Sequence, residues 1–318
     1  MELLLDNLKN VFTKKKHGAT KTSEISDKKL LIRMSVTGVL SILVGRVALL
    51  FSMEPCALAF MTVLMARSKA NLYALPIVYI GMISAYGASY GYLPDLISLI
   101  ICTIVFLILG TKKITLMHRA LIAGGIMVGV KTAYYLWSGL FFLYDGQTVA
   151  VELLVLFLFI YVFYTFLNLI DKGITKDSRP VETLAVVTIV VMVCTASISL
   201  FQFIPISLLH FMALFLTLLL GYSIGPSEGA MIGIITGVIT MLIAYDTPAF
   251  PGILGCCGLV AGFLHGQRRI VTSVCFVGLA LIFGLLKGYP NLYISVYEPV
   301  IAGVIFILVP RRFLEYIN

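Results

Sequence analysis

Apolar runs of nearly bilayer-spanning length follow one another through almost the whole chain, and this constrains the fold more than any other feature. They fall at roughly 33–52, 55–66, 71–92, 95–110, 119–142, 148–170, 181–201, 205–224, 227–245, 248–265, 270–288 and 292–309. A helix needs about 20 apolar residues to cross the hydrocarbon core. Backbone in that core must satisfy its own hydrogen bonds, so runs of this kind read as helices. Charged residues make up only 12% of the chain and hydrophobic residues 60%, with a mean hydropathy of +1.04. A soluble domain carries about 25% charged residues. The expected fold is therefore all-α, a polytopic membrane helical bundle of about 10–12 transmembrane segments.

The basic residues orient the bundle. With the N-terminus in the cytoplasm and the segments alternating, every lysine and arginine except Arg46, Lys131 and Lys287 lies in an inner stretch or at an inner segment end. No outer loop carries one, while Glu54, Asp95, Asp145, Asp246 and Glu298 sit at outer ends. That asymmetry is the positive-inside pattern, and it predicts that both termini are cytoplasmic. The net charge of +8 is accounted for in the same way, so nucleic acid is not an expected partner. Segment 55–66 is short for a crossing. The alternative is a re-entrant hairpin of 33–52 and 55–66, which leaves ten crossings and the same parity.

Three regions follow: a basic cytoplasmic tail over 1–32, a transmembrane helical domain over 33–309 and a short cytoplasmic end over 310–318. Nothing resembles a secretory signal, because the apolar cluster MELLLDNLKNVF precedes its basic run instead of following it. Leu4, Leu8, Val11 and Phe12 recur at helical spacing. They read either as a short helix on the inner membrane surface, with Lys9 and Lys14–Lys16 near anionic headgroups, or as a disordered tail.

Charge inside apolar segments is the main signal for a site. Lys131, in GVKTAYYLWSG, lies well inside its segment and is the best candidate for a polar interior site. Arg46 and the Glu54–Pro55 pair are the other candidates. Arg46 is about 9 Å along the helix axis from Ser52 and can snorkel outward. Pro55 starts the next helix and holds Glu54 out of helical geometry. An Arg46–Glu54 ion pair clamping the outer turn is the expected arrangement. Glu228 and Asp246 read as interfacial.

Glycines recur every fourth residue in two rows, Gly225, Gly229, Gly233 and Gly237, then Gly258, Gly262 and Gly266. Each row is a smooth stripe on a helix. Packing within the chain is the main expected role, and self-association through these helices is the sharper alternative. SMEPCALAF, SIGPSEGAM and SVYEPVIAG each place Pro near a helix start, which ordinary helix starts explain better than duplication.

Catalytic signatures are missing. There is no Walker loop, HExxH or Gly-x-Ser-x-Gly, and no cofactor or metal is expected. The four histidines, His17, His118, His210 and His265, lie far apart, none with a carboxylate at ligand spacing. Cys56, Cys102, Cys194, Cys256, Cys257 and Cys275 read as small buried hydrophobes, although adjacent Cys256 and Cys257 must point two ways on a helix.

GRVALLFSMEPCALAFMTVL resembles the first membrane hairpin of the stage II sporulation protein E family, through Gly45, Arg46 and Val47, then Pro55, Ala59 and Phe60. GILGCCGLVAGFLHGQRR is similar to that family's Gly-rich helix with its basic end, and IFILVPRRFLEYIN to its exit from the last helix. The resemblance spans about residues 30–318. It implies a multispanning anchor in the bacterial cytoplasmic membrane. In the family a cytoplasmic region follows that self-associates and contacts the division ring, and then a manganese-dependent serine phosphatase domain that activates the first forespore sigma factor. No aspartate cluster able to hold the metals occurs here, so no catalytic residue carries over. The expected function is a non-catalytic membrane anchor and localisation module. Its expected partners are membrane lipid, septal division proteins and further copies of itself. The alternative is a small-solute transporter with its site near Lys131.

Overall fold

The computed structural model describes residues 34–49, 54–67, 73–86, 92–109, 114–139, 142–172, 180–199, 207–244, 248–285 and 297–310. The basic tail, where a surface helix is one of two readings, Asp246, Lys287 and most of the C-terminal end lie outside the described residues. Met1–Leu40 and Ser41–Asn318 separate as two compact units. In the first, the described residues are the opening turns of α1.

Twelve α-helices fill the described residues. They are α1 (Met34–Gly45), α2 (Pro55–Arg67), α3 (Ala74–Tyr86), α4 (Leu93–Leu109), α5 (Leu116–Trp137), α6 (Leu143–Lys172), α7 (Pro180–Ser199), α8 (Leu208–Ile224), α9 (Pro226–Ala244), α10 (Phe250–Phe263), α11 (Arg269–Leu285) and α12 (Tyr297–Leu308). The fold is all-α, as the apolar runs require. Four helices have the length and apolarity to cross a membrane: Leu116–Trp137, Leu143–Asp171, Val181–Ile198 and Pro226–Ala244. The rest are shorter apolar helices of 10–17 residues.

Their outer faces carry apolar stripes at helical spacing. Ile97, Ile101, Ile104 and Ile108 project from α4, and Leu154, Leu158 and Tyr161 from α6. On a soluble protein such stripes are an aggregation hazard, but against acyl chains they are the expected surface. Trp137, Phe142 and Tyr144 stand out where α5 gives way to α6, 93%, 63% and 64% exposed. Exposed aromatics at a helix end mark the level of the headgroups.

Within the second unit two sub-bundles form, one of α2–α6 and one of α8–α12, with α7 between α6 and the pair α8–α9. In the first sub-bundle α2 is the core. Every residue from Pro55 to Leu64 is buried, because α3, α4, α5 and α6 all pack on it. Phe60 meets Phe163 of α6 edge-on at 5.1 Å between ring centroids. With 13 residues, α2 is about 20 Å long against a hydrocarbon core of about 30 Å. A helix enclosed by protein need not span, provided its ends find partners. At the C-terminal end Arg119 of α5, 3% exposed, donates to Met65 O at 3.1 Å and lies over the Phe106 ring. Arg67 bonds Asn168 and pairs with Asp171 at 3.0 Å, tying α2 to the last turns of α6. Arg119, which the sequence assigns to an inner segment end, is thus a buried capping residue.

The run read as one segment over 33–52 is interrupted. Helix α1 stops at Gly45, Arg46 occupies a turn and Val47–Leu49 continue without helix. Gly45 abuts α3, where an added Cβ would stand 2.5 Å from Val78 O, and a Cβ on Gly81 would stand 2.6 Å from Ile42 O. This backbone-to-backbone seat fixes where the helix ends.

In the second sub-bundle the glycine rows interleave. A Cβ on Gly229 would lie 2.5 Å from Gly258 O, and one on Gly237 2.5 Å from Pro251 Cα. Gly233 faces the Leu254 carbonyl, Gly258 that of Gly229, and Gly262 the Gly225–Pro226 junction. Gly225 joins α8 to α9 with φ of 140°, a conformation that glycine alone adopts easily. Gly266 differs from its row. It lies beyond α10, also at positive φ, with open space where a side chain would go.

All six cysteines are free. Cys56, Cys102 and Cys257 are buried and Cys194 is partly so, but Cys256 and Cys275 are exposed, which corrects the expectation of six buried thiols. Adjacent helical positions lie about 100° apart, so the glycine seam that buries Cys257 turns Cys256 outward.

Candidate functional site

A helix as enclosed as α2 cannot rely on water to solvate its N-terminus, and the residues gathered there are ionisable. Glu54 immediately precedes α2 and is 2% exposed. Asp95 lies in the first turn of α4, Lys131 in the later turns of α5 and Glu152 inside α6. Asp95, Lys131 and Glu152 are 8%, 4% and 1% exposed. Four helices thus bring three carboxyl groups and one ammonium into a single buried cluster.

Lys131 is the hub. Its Nζ donates to both oxygens of Glu152 at 2.6 Å and lies 2.8 Å from Asp95 Oδ1. An ammonium has three N–H donors, so these contacts saturate it. Asp95 and Glu152 are thus both held on Lys131, within electrostatic reach of each other. Glu54 lies within electrostatic reach of Asp95, Lys131 and Glu152, yet neither of its buried oxygens has a hydrogen-bond partner.

The cluster lies near one end of the bundle. Trp137 is about 9 Å beyond Lys131 along α5, and Tyr144 about 12 Å from Glu152 along α6. The ionisable groups are therefore set below the aromatic belt, yet within a few side-chain lengths of it.

Sequence reasoning marked Lys131 and Glu54 separately, and the structure brings them together. It separates Glu54 from Arg46. The expected Arg46–Glu54 clamp does not form, because Arg46 Nη1 donates to Ser84 Oγ of α3 at 3.2 Å while Glu54 turns inward. The physical reason is the early end of α1: Arg46 leaves from a turn seated on α3 and not from a helix rising toward the Glu54 turn. A double-mutant cycle over Arg46→Ala and Glu54→Ala should therefore give a coupling energy near zero in thermal unfolding. A coupling of about 1 kcal/mol or more would restore the clamp.

Asp95 and Glu152 were missed. Asp95 read as an outer-end acid, and Glu152 went unremarked inside its own run. The available signal was charge balance, since a buried lysine needs a counter-charge and Glu152 is the one carboxylate well inside a neighbouring apolar run.

A smaller polar contact joins α8 to α12. Glu298, 2% exposed, accepts from Ser207 N at 3.0 Å and lies 3.7 Å from His210 Nδ1. Distance along the sequence had argued against any His–carboxylate pair, and folding supplies this one across 88 positions. No group of three or more His, Cys, Asp or Glu residues is placed to hold a metal ion among the described residues.

The model for the family described as SpoIIE, N-terminal domain, matches residues 4–318. The chain belongs to the SpoIIE N-terminal domain family. No phosphatase domain is matched within these residues. No curated protein matches the chain, and no solved structure does. Of the residues that carried the resemblance, Gly45, Arg46 and Val47 lie where α1 ends, and Pro55, Ala59 and Phe60 lie in α2 of this SpoIIE N-terminal domain.

Proposed function

We propose that this chain is the membrane anchor and localisation module of a sporulation system, itself non-catalytic, held in the bacterial cytoplasmic membrane with both termini in the cytoplasm. The observation that carries the reading is the match of nearly the whole chain to the SpoIIE N-terminal domain. The apolar outer stripes and candidate spans support membrane residence, and the basic-residue asymmetry supports the orientation. Self-association belongs to the proposal. With Gly229, Gly233, Gly237, Gly258 and Gly262 engaged inside the chain, it falls to the outward stripes of α4, α6 or α11. Septal division proteins are proposed as partners by family relationship.

Reporter fusions at residue 1 and after Asn318, expressed in a sporulating bacterium, test this. Both reporters should read cytoplasmic, and a fluorescent fusion should concentrate at the division septum. Opposite sides for the two ends, or uniform membrane fluorescence, would overturn the reading. Purified protein with manganese should not release phosphate from a phosphoserine peptide.

The buried cluster supports a second reading, a small-solute transporter with its site at Lys131. Broken or half-length helices whose ends meet charged groups at membrane depth are a feature of transporters. Solute uptake abolished by Glu152→Gln without loss of folded protein would favour it over the anchor.

A further inference from the structure

The cluster of Glu54, Asp95, Lys131 and Glu152 is short of positive charge. Fully ionised, its three carboxylates and one ammonium leave two net negative charges in a region nearly sealed from water. Charges at that depth are retained only when paired or placed in a water-filled cavity. Lys131 has spent its donors on Asp95 and Glu152, so it has none left for Glu54. Glu54 is only 2% exposed, lies within electrostatic reach of the other three residues, and has two oxygens without a hydrogen-bond partner. An unpartnered buried carboxyl is costly whether ionised or neutral.

Among the described residues, the other ionisable groups near the cluster do not fill the gap. Cys56 lies beside Glu54 on α2, and Tyr135 of α5 lies within reach of Lys131, Asp95 and Glu152. Helix α3, which also packs on α2, contains tyrosines but no amine, imidazole or carboxylate. None of these supplies a cation.

We propose that Glu54 and its neighbours form a binding site for one small monovalent cation, taken up from the aqueous side nearest the aromatic belt of Trp137 and Tyr144. Glu54 in particular lacks a positive partner small enough for a dry site, and a proton or an alkali ion supplies one, halving the imbalance. No three of these carboxyl groups converge as a metal-ligand set among the described residues, so a bound cation rests on Glu54 and not in a three-carboxylate cage. Uptake neutralises Glu54 at the buried N-terminus of α2, so occupancy should stabilise the first sub-bundle. The inference stands apart from the anchor reading, because a cation can serve to hold the anchor together or to be moved.

Thermal unfolding of the purified chain in lipid nanodiscs tests it, comparing wild type, Glu54→Gln and Glu182→Gln, an exposed acid of α7. In one arm, Na⁺ or K⁺ replaces N-methylglucamine at constant ionic strength and pH 8. In the other, pH falls from 8 to 5 in N-methylglucamine alone. A ligand that binds only the folded state raises its midpoint as its concentration rises. Wild type and Glu182→Gln should gain on the order of 5 °C in one arm, and Glu54→Gln should lose that gain. A gain in the first arm identifies an alkali ion, and a gain confined to the second identifies a proton. Identical responses of wild type and Glu54→Gln in both arms would overturn the site. Should Glu54→Gln not fold, infrared difference spectra of the wild type decide. A carboxyl band that changes on adding Na⁺ or on changing pH supports the site, and an unchanged band refutes it.

Discussion

Lys131→Leu should destabilise the folded chain by about 3–5 kcal/mol, the usual cost of removing one partner from a buried ion pair. The substitution removes a charge whose insertion alone costs about 2.5–3.5 kcal/mol, so a lysine without partners would leave a more stable protein behind. The contacts decide the sign. Lys131 holds both oxygens of Glu152 at 2.6 Å and Asp95 at 2.8 Å, and leucine strands both carboxyl groups in a region that excludes water. The triple variant Lys131→Leu/Asp95→Asn/Glu152→Gln removes the stranded charges along with the lysine and should recover most of the loss. Thermal or denaturant unfolding in the same detergent measures both. A single variant as stable as wild type would mean that the cluster does not hold the first sub-bundle together. A triple variant no better than the single would mean that leucine fails on shape and not on charge.

Lys131 was legible because a charge far from either end of an apolar run has few explanations. Its partners were not, because they come from other helices, 36 positions before it and 21 after. Asp95 looked interfacial because it opens its helix, and only the enclosure of α2 buries that end. Arg46 was legible as an anomaly but misassigned. The reading continued the helix from Arg46 toward Ser52, and nothing in the local pattern announces that Gly45 ends it against Val78 and Gly81. The number of crossings was the least legible feature. A short apolar run is equally compatible with a hairpin arm and with a buried core helix, and packing on all sides by α3, α4, α5 and α6 favours the second for α2. The glycines inside α9 and α10 were legible, because a four-residue period on a helix is a statement about one face, whereas Gly225 and Gly266 fall at turns beyond the helix ends. The partner of that face is another backbone, which the period alone does not reveal.

The glycine seam should also yield the largest loss of folded protein from a single apolar substitution. Gly233→Val is expected to abolish a monodisperse folded species, or to lower its midpoint by well over 10 °C. Overpacking of a core costs about 1–3 kcal/mol when side chains can yield. Here they cannot yield, because the atoms that a Cβ at position 233 would meet are the Leu254 carbonyl and the Gly255 Cα, all backbone of α10. To admit even one methyl group, α9 and α10 must separate. That separation propagates to Gly229 and Gly258 and then to Gly221 of α8, since each stands in backbone contact with the next. Close approach of this kind is a main source of cohesion between membrane helices, where burial from water contributes little. Gly252 supplies the control. It lies on α10 in the same segment, has nothing within 4 Å of an added Cβ, and Gly252→Ala should be neutral or slightly stabilising through helix propensity. Fluorescence-detected gel filtration across a temperature series separates the two outcomes. If Gly233→Val elutes and melts like wild type while Gly252→Ala does not, the faces of α10 have been assigned the wrong way round. If both behave like wild type, α9 and α10 are held by their flanking leucines and isoleucines and not by the backbone seam.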